Sequence, residues 1–114
     1  MPLFATQVAY SIEGWQALVR NPQDRITAVR PAVEKLGGKI LHSWFAFGDY
    51  DILAITEMPS NVAAAAIAMA FAAGGACKSV RTTPLLTTAD AVEAMKAANA
   101  SGYRPVTAAA AGSA

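Results

Sequence analysis

The sequence contains few of the residues that most often carry out chemistry in proteins. It has a single cysteine, Cys77, and a single histidine, His42. One cysteine excludes a disulfide within the chain. No CxxC, HxH or HExxH spacing indicates a metal site, and no glycine-rich loop joins a strand to a helix, as a phosphate-binding loop would. We therefore expect neither a metal nor a cofactor.

Charged side chains are also scarce, and the two signs nearly cancel. They make up 15% of the 114 residues and leave a net charge of +1, whereas globular proteins average about 25% charged. A near-neutral chain lacks the basic surface that nucleic acids and anionic membranes attract, so neither is an expected partner. Hydrophobic residues reach 54%, more than a domain this small can bury alone, which predicts a homodimer or higher oligomer.

No apolar run is long enough to cross a bilayer. The most apolar stretch, residues 62–77, is shorter than the roughly 20 residues that a membrane helix needs, and most of its side chains are alanine. The first residues lack the basic and apolar regions of a secretory signal. These absences predict a bacterial-type cytoplasmic location and no membrane partner.

Apolar periodicity predicts an α+β domain. Strands are expected at residues 3–11, 39–47, 50–58 and 79–87, a short helical turn at 15–20, and helices at 21–36, 60–73 and 88–100. The order is β-α-β-β-α-β with an added C-terminal helix, which is the ferredoxin-like arrangement. Residues 1–100 would form this domain and residues 101–114 a C-terminal tail.

Several local features refine this prediction. Gly14 is expected to end the first strand, and the pair Asn21-Pro22 to begin the second helix. Pro31 should kink that helix. The charge-free helix at 60–73 should be buried on nearly all sides. Gly48-Asp49 fits a two-residue hairpin loop with Gly48 at positive φ.

The sheet should have one face without cover. Two helices can cover only one face of four strands, and the third strand is apolar on both sides. In the second strand, strict alternation would place Ile40, His42 and Trp44 on the same face. We expect a second protomer to bury the uncovered face, and Tyr103 and Val106 of the tail to rest on a neighbouring protomer.

The segment at residues 48–51, Gly-Asp-Tyr-Asp, resembles the Gly-x-Tyr-Asp signature of the GYD-domain family. Other segments agree with it in order, so that the resemblance spans about residues 3–91. They are Asn21-Pro22 with Arg25, Lys35 to Lys39, Trp44-Phe45, the alanine-rich helix and Val80 to Thr83. The resemblance implies a ferredoxin-like fold of the dimeric α/β-barrel type, in which two sheets pack face to face. It implies no reaction, cofactor or catalytic residue.

Each candidate site residue has a functional and a structural interpretation. His42 beside Trp44 could be a general base against an aromatic wall, but no neighbouring carboxylate orients it, which favours a histidine held in a dimer interface. Tyr50 and Asp51 could supply a phenol and a carboxylate at a pocket mouth. Alternatively, Asp51 accepts hydrogen bonds from turn amides and Tyr50 packs across the hairpin. Cys77 is expected to be a buried, inert thiol.

Two arginines complete the candidate set. Arg25 and Arg81 could bind an anionic group, since a guanidinium matches carboxylate or phosphate geometry. Alternatively, they form ion pairs with Asp24, Asp51 or Glu57.

Three functions remain open at this point. The first is a homo-oligomeric small-molecule-binding or structural module whose sheet-lined cavity holds a small apolar or anionic ligand. The second is a cofactor-independent enzyme, an isomerase or monooxygenase, with an intersheet pocket in which His42 or Asp51 is the base and Tyr50 or Arg81 stabilises an oxyanion. The third is a regulatory subunit that binds an anionic effector between protomers through Arg25 and Arg81.

Overall fold

A computed structural model describes residues 1–106 of the chain, which adopt a ferredoxin-like α+β fold. The elements, in chain order, are β1 (Leu3–Tyr10), α1 (Ile12–Arg20), α2 (Arg25–Lys35), β2 (Lys39–Phe45), β3 (Ile52–Glu57), α3 (Asn61–Ala73), β4 (Cys77–Leu85) and α4 (Thr88–Ala100). The four strands form one antiparallel sheet in the order β2-β3-β1-β4. The predicted element order is confirmed, with α1 longer than the short turn expected there.

The two faces of the sheet have different surroundings. Alternate residues of β1, beginning with Phe4, are buried beneath the helices, and the residues between them are mostly half-buried. We call the first set and its cross-strand partners the helix face: Phe4, Thr6, Val8, Ile52, Ala54, Thr56, Val80, Thr82 and Pro84. The opposite side is the open face: Leu3, Ala5, Gln7, Lys39, His42, Trp44, Leu53, Ile55, Glu57, Arg81, Thr83 and Leu85.

The core lies between the helix face and helices α2 and α3. Its fully buried cluster joins β1, α2, β2, the end of β3 and α3. The members are Phe4, Val33, Ile40, Met58, Ala64 and Ile67. Burying an aliphatic or aromatic side chain of this size contributes about 1.5–3 kcal/mol, so this cluster fixes both helices against one face only.

A β-bulge in β2 changes which residues share a face. Ile40 pairs with Thr56, but His42 pairs with Ile55, so Leu41 is an extra residue in β2. A bulge of this kind reverses the alternation beyond it. Ile40 therefore packs in the core, whereas His42 and Trp44 lie on the open face, and the prediction that all three share a face is wrong.

The connection between β2 and β3 is longer than a two-residue hairpin loop. β2 ends at Phe45 and β3 begins at Ile52, and the Ala46 amide donates to the Asp51 carbonyl at 2.8 Å. Gly48 lies in this wider loop and does not have positive φ. The predicted hairpin geometry is wrong, because the Ala46–Asp51 bond closes the loop before the chain reaches Gly48.

Two helices begin at other residues than expected. Ser11 caps α1 by accepting from the Gly14 amide at 3.0 Å, so Gly14 lies inside a helix instead of ending a strand. Asp24, not Asn21, caps α2, and its carboxylate accepts from the Ile26 and Thr27 amides. In both cases a side-chain oxygen satisfies amides that the helix itself leaves free.

The remaining helix boundaries agree with the sequence. Ser60 caps α3 and Thr87 caps α4. Gly37 and Gly75 follow α2 and α3 with φ of 85° and 83°, a conformation that glycine adopts without steric cost. Helix α2 continues through Pro31 to Lys35.

The outer surfaces of α3 and α4 are not covered within the chain. In α3 only Ala64 and Ile67 are fully buried, so the expectation of burial on nearly all sides is not met in one protomer. Helix α4 has no buried residue, and the longest dimension of the chain is 63 Å.

Tyr103 and Val106 are exposed in the single chain, and the rest of the predicted tail, residues 107–114, lies outside the described residues. Within residues 1–106, no helix combines the length and apolarity needed to cross a membrane.

Candidate functional site

A cavity of about 230 Å³ lies between the helix face of the sheet and helices α2 and α3. Most of its wall is apolar. The large apolar side chains are Val8, Ile26, Val29, Ile52 and Phe71. The polar side chains that reach it are Thr6, Tyr10, Arg25 and Cys77. An apolar cavity with a few convergent polar groups is the usual form of a small-molecule site.

The sheet and α2 bring three of these polar groups together. Tyr10 is the last residue of β1 and pairs with Cys77, the first residue of β4. Arg25 is the first residue of α2, directly after the Asp24 cap. The Tyr10 ring is also held by Trp15 of α1, whose ring meets it edge-on with centroids 5.4 Å apart. Residues that are 15 to 67 positions apart therefore meet at one end of the sheet.

The phenol and the thiol in the cavity are uncharged at neutral pH, and burial raises the pKa of each further above neutrality. Burial is the main cause that raises the pKa of Tyr10 above its usual 10.0, and the charges of Cys77 and Asp51 add to it. Burial likewise raises the pKa of the Cys77 thiol above its usual 9.0. The Arg25 guanidinium opposes both shifts without reversing either. Tyr10 and Cys77 are thus neutral hydrogen-bonding groups there.

Arg25 carries the positive charge of the cavity wall. Its Nη1 donates to Gln23 Oε1 at 3.0 Å. The ion pair found in the described part of the chain joins Lys96 to Glu93 on α4, so within residues 1–106 no carboxylate pairs with Arg25. The alternative in which Arg25 pairs with Asp24, Asp51 or Glu57 is wrong for this chain.

Asp51 has a structural role, at a different place from the one expected. Its Oδ2 accepts from the Tyr10 amide of β1 at 2.9 Å, and its own amide donates to the Val8 carbonyl at 2.8 Å. It therefore joins the β2–β3 loop to the end of β1, instead of binding turn amides. Such a charge-assisted bond to a backbone amide is stronger than a neutral one.

Tyr50 and Arg81 interact with each other. The Arg81 guanidinium carbon lies 5.9 Å from the centre of the Tyr50 ring, within the range of a cation–π contact. Arg81 pairs with Gln7 on the open face. The ion pairs proposed for Arg81 are absent from residues 1–106, and Tyr50 packs towards β4 instead of across its own loop.

His42 and Trp44 form a second group, away from the cavity. Their rings stack with centroids 5.7 Å apart and planes at 10°. Both residues are exposed on the open face, and neither lines the cavity. The structure thus separates the candidates: Arg25 lies at the cavity, Asp51 anchors a loop, and His42, Trp44 and Arg81 belong to the opposite face.

Sequence reasoning missed Thr6 and Tyr10 as cavity residues and treated Cys77 as inert core. One signal could have found the last two. In a ferredoxin-like sheet the first and fourth strands are antiparallel neighbours, so the end of β1 must meet the start of β4. Within residues 1–106, no three His, Cys, Asp or Glu side chains are grouped in a way that could hold a metal ion.

Comparison with known proteins agrees with the resemblance carried by residues 48–51. The sequence profile of the GYD domain matches residues 4–95, which include all four strands apart from Leu3 and the first eight residues of α4. Searches of curated proteins and of solved structures found no significant match to this chain. The profile match covers well over half of the sequence, and the chain therefore belongs to the GYD-domain family.

Proposed function

We propose that this GYD-domain protein is a homo-oligomeric module that binds a small, largely apolar molecule in the cavity between its sheet and helices α2 and α3. The observation that carries the proposal is the wall of that cavity, which is mainly apolar and has Tyr10, Cys77 and Arg25 at one end. Its volume of about 230 Å³ is below the ~300–1,000 Å³ of drug-sized sites. A single ring or a short branched chain is the size of ligand that fits.

Binding is a better account of this cavity than catalysis. General acid–base catalysis needs a group that gains and loses a proton near neutral pH. The cavity has a thiol and a phenol whose pKa values are raised, and neither His42 nor Asp51 lines it. The enzyme hypothesis would need His42 or Asp51 as the base and Tyr50 or Arg81 beside the same bound substrate, and none of these four residues lines the cavity.

The oligomer in this proposal is formed by the open face of the sheet. Trp44 is 54% exposed there, beside His42 and the apolar side chains Leu53 and Ile55 of β3. Stable protein interfaces bury about 800 Å² on each partner, and a four-stranded face offers an area of that order. A second copy packed sheet to sheet is the occupant that the dimeric α/β-barrel arrangement implies. Contact of Tyr103 and Val106 with a neighbouring protomer stays a prediction.

The regulatory hypothesis is less well supported. Arg25 lies at the cavity, between the helix face and the helices, whereas Arg81 lies on the open face. One protomer does not place the two guanidinium groups at a shared anion, so a joint site would require a second protomer.

The cavity can be tested with a filling variant and a matched control. Both Ala70 and Ala65 are exposed on helix α3, but Ala70 lines the cavity and Ala65 does not. We expect protein-detected NMR titration with benzyl alcohol, a neutral molecule with one ring, to show binding to wild type and to Ala65→Leu. Ala70→Leu should lose it. Equal binding by all three proteins, or binding by none, would refute the cavity as a ligand site.

The oligomer is tested separately by native mass spectrometry of freshly purified protein. We expect the mass of a dimer or a higher oligomer. Any additional mass released on denaturation would come from a ligand that copurifies with the protein. A monomer mass across the micromolar range would refute the oligomer without deciding whether the cavity binds a ligand.

A further inference from the structure

We propose that the ligand of the cavity is a small monocarboxylate whose apolar body fills the cavity and whose carboxylate pairs with Arg25. This inference rests on the proposed binding function and adds the chemical class of the ligand. It follows from the position of one guanidinium, the lack of an anion beside it, and the neutral groups around it.

The first step is the position of Arg25. Its side chain is half-buried at the cavity, and its backbone is fixed because α2 begins there. A guanidinium has five N–H donors, and here the hydrogen bond described is from Nη1 to Gln23 Oε1. Enough donors remain for a bidentate contact, the arrangement in which arginine recognises a carboxylate.

The second step is that nearby acidic groups are engaged elsewhere. Asp24 Oδ1 accepts from the Ile26 and Thr27 amides at 2.9 and 3.3 Å, and its Oδ2 accepts from the Thr27 hydroxyl at 3.0 Å. Asp51 Oδ2 accepts from the Tyr10 amide. Neither carboxylate lies within ion-pair distance of Arg25, so the positive charge at the cavity is uncompensated by these residues.

The third step concerns the other polar groups of the wall. Tyr10 and Cys77 are uncharged at neutral pH, as described above, and the Thr6 hydroxyl is neutral at any pH. None of them repels an anion, and the Tyr10 phenol can donate a hydrogen bond to it. The rest of the wall is apolar, which favours a ligand with a single charge at one end and a hydrocarbon body.

Two matched pairs of probes test this inference: benzoate with benzyl alcohol, and 3-methylbutanoate with 3-methylbutanol. Each pair has nearly the same body and differs in charge. We expect the wild-type protein to bind at least one acid about ten-fold or more tightly than its alcohol in calorimetric or NMR titrations. Arg25→Met should abolish this preference, so that the variant binds the acid no more tightly than its alcohol.

Arg30→Met is the control, because Arg30 is exposed on the same helix and does not line the cavity. It removes the same charge and should leave the affinity for the acid unchanged. If Arg30→Met lowers the affinity for the acid as much as Arg25→Met does, the preference for the acid is a general charge effect and the inference is wrong. If the alcohols bind as tightly as the acids, the ligand is not recognised through a carboxylate, but the proposed binding function is still supported. If no probe of either pair binds, the binding function falls as well.

Discussion

Asp51, the last residue of the signature segment, is a tether in this structure. It is the last residue of the β2–β3 loop, and its side chain accepts a hydrogen bond from the backbone of β1. A carboxylate that accepts from a partly buried amide is costly to remove, because the amide loses its partner. The acidic residue of the signature is therefore explained by the sheet, with no need for catalysis.

This role predicts a stability change. Asp51→Ala should lower the free energy of unfolding by about 1.5–3 kcal/mol, the range for hydrogen bonds to charged groups. Asp49→Ala is the control, because Asp49 is exposed in the same loop and should change stability by less than about 0.5 kcal/mol. Urea unfolding of both variants measures the difference. Equal values for the two would mean that the bond to Tyr10 contributes nothing.

Cys77 predicts a dependence of stability on alkaline pH. Its pKa in the folded protein is raised above the usual 9.0, mainly by burial. Above that pH the unfolded chain loses the thiol proton while the folded chain still holds it, so the unfolded state gains stability as pH rises. The stability that the protonated Cys77 thiol contributes is fully present below the pKa of the thiol in the unfolded chain. It is lost as the pH rises through the pKa of the thiol in the folded protein. Tyr10 acts in the same direction above 10.0.

We expect the wild-type free energy of unfolding to fall as the pH rises above 9.0, and Cys77→Ala to show a shallower fall. Urea titrations at several pH values would measure this. The neutral-pH value of the variant serves as its own reference, since removal of the side chain also changes packing. Parallel curves for the two proteins would contradict a buried, protonated thiol.

At the scale of elements, helix α1 depends on a close approach to the start of β4. The Ser11 amide donates to the Ala76 carbonyl at 2.9 Å, and the Ser11 hydroxyl caps α1. Gly14 is fully buried in the first turn of α1, and a Cβ at this residue would collide with the Ala76 carbonyl oxygen. A glycine inside a helix normally lowers stability. Gly14 is explained by the lack of room for a side chain beside Ala76.

This contact predicts opposite outcomes at two glycines. Gly14→Ala should lower the free energy of unfolding by about 1–3 kcal/mol, the usual effect of overpacking, despite the better helix propensity of alanine. Gly48→Ala is the matched change: a Cβ there meets nothing within 4 Å and φ is not positive. It should be neutral or stabilise by up to about 1 kcal/mol. Thermal or urea unfolding of the pair decides the matter, and a stabilised Gly14→Ala would disprove the contact.

At the scale of the whole molecule, no element within residues 1–106 covers the open face of the sheet. All fully buried side chains of the core cluster lie on the helix side of the sheet. The opposite side presents the stacked pair His42–Trp44 and half-buried aliphatic residues of β1 and β3. Monomers rarely expose large apolar patches, and the proposed second protomer would bury these side chains.

A charge on this face should therefore disrupt the oligomer. Trp44→Glu places a carboxylate on the open face, and we expect it to shift the protein from oligomer to monomer in sedimentation velocity at micromolar concentration. Phe47→Glu is the control, since Phe47 is 100% exposed in the β2–β3 loop, and it should sediment as wild type does. A wild-type protein that sediments as a monomer would refute the sheet-to-sheet dimer.

Most of the element order could be predicted from the sequence, because the interactions that set it are local. Alternation along β1, the serine and threonine caps of α3 and α4, and the glycines after α2 and α3 act within a few residues of one another. The family, too, could be recognised from short segments. Boundaries failed where two local signals competed, as at Asn21 and Asp24, where the cap was assigned to the wrong residue.

Tertiary structure alone decided the site. The bulge at Leu41 arises from pairing between β2 and β3, and it sends His42 and Trp44 away from the core that holds Ile40. The cavity exists because the end of β1, the start of α2 and the start of β4 meet, which unites Tyr10, Arg25 and Cys77. Periodicity reports which residues share a face within one element. It does not report which elements meet, because that depends on contacts between residues far apart in the chain.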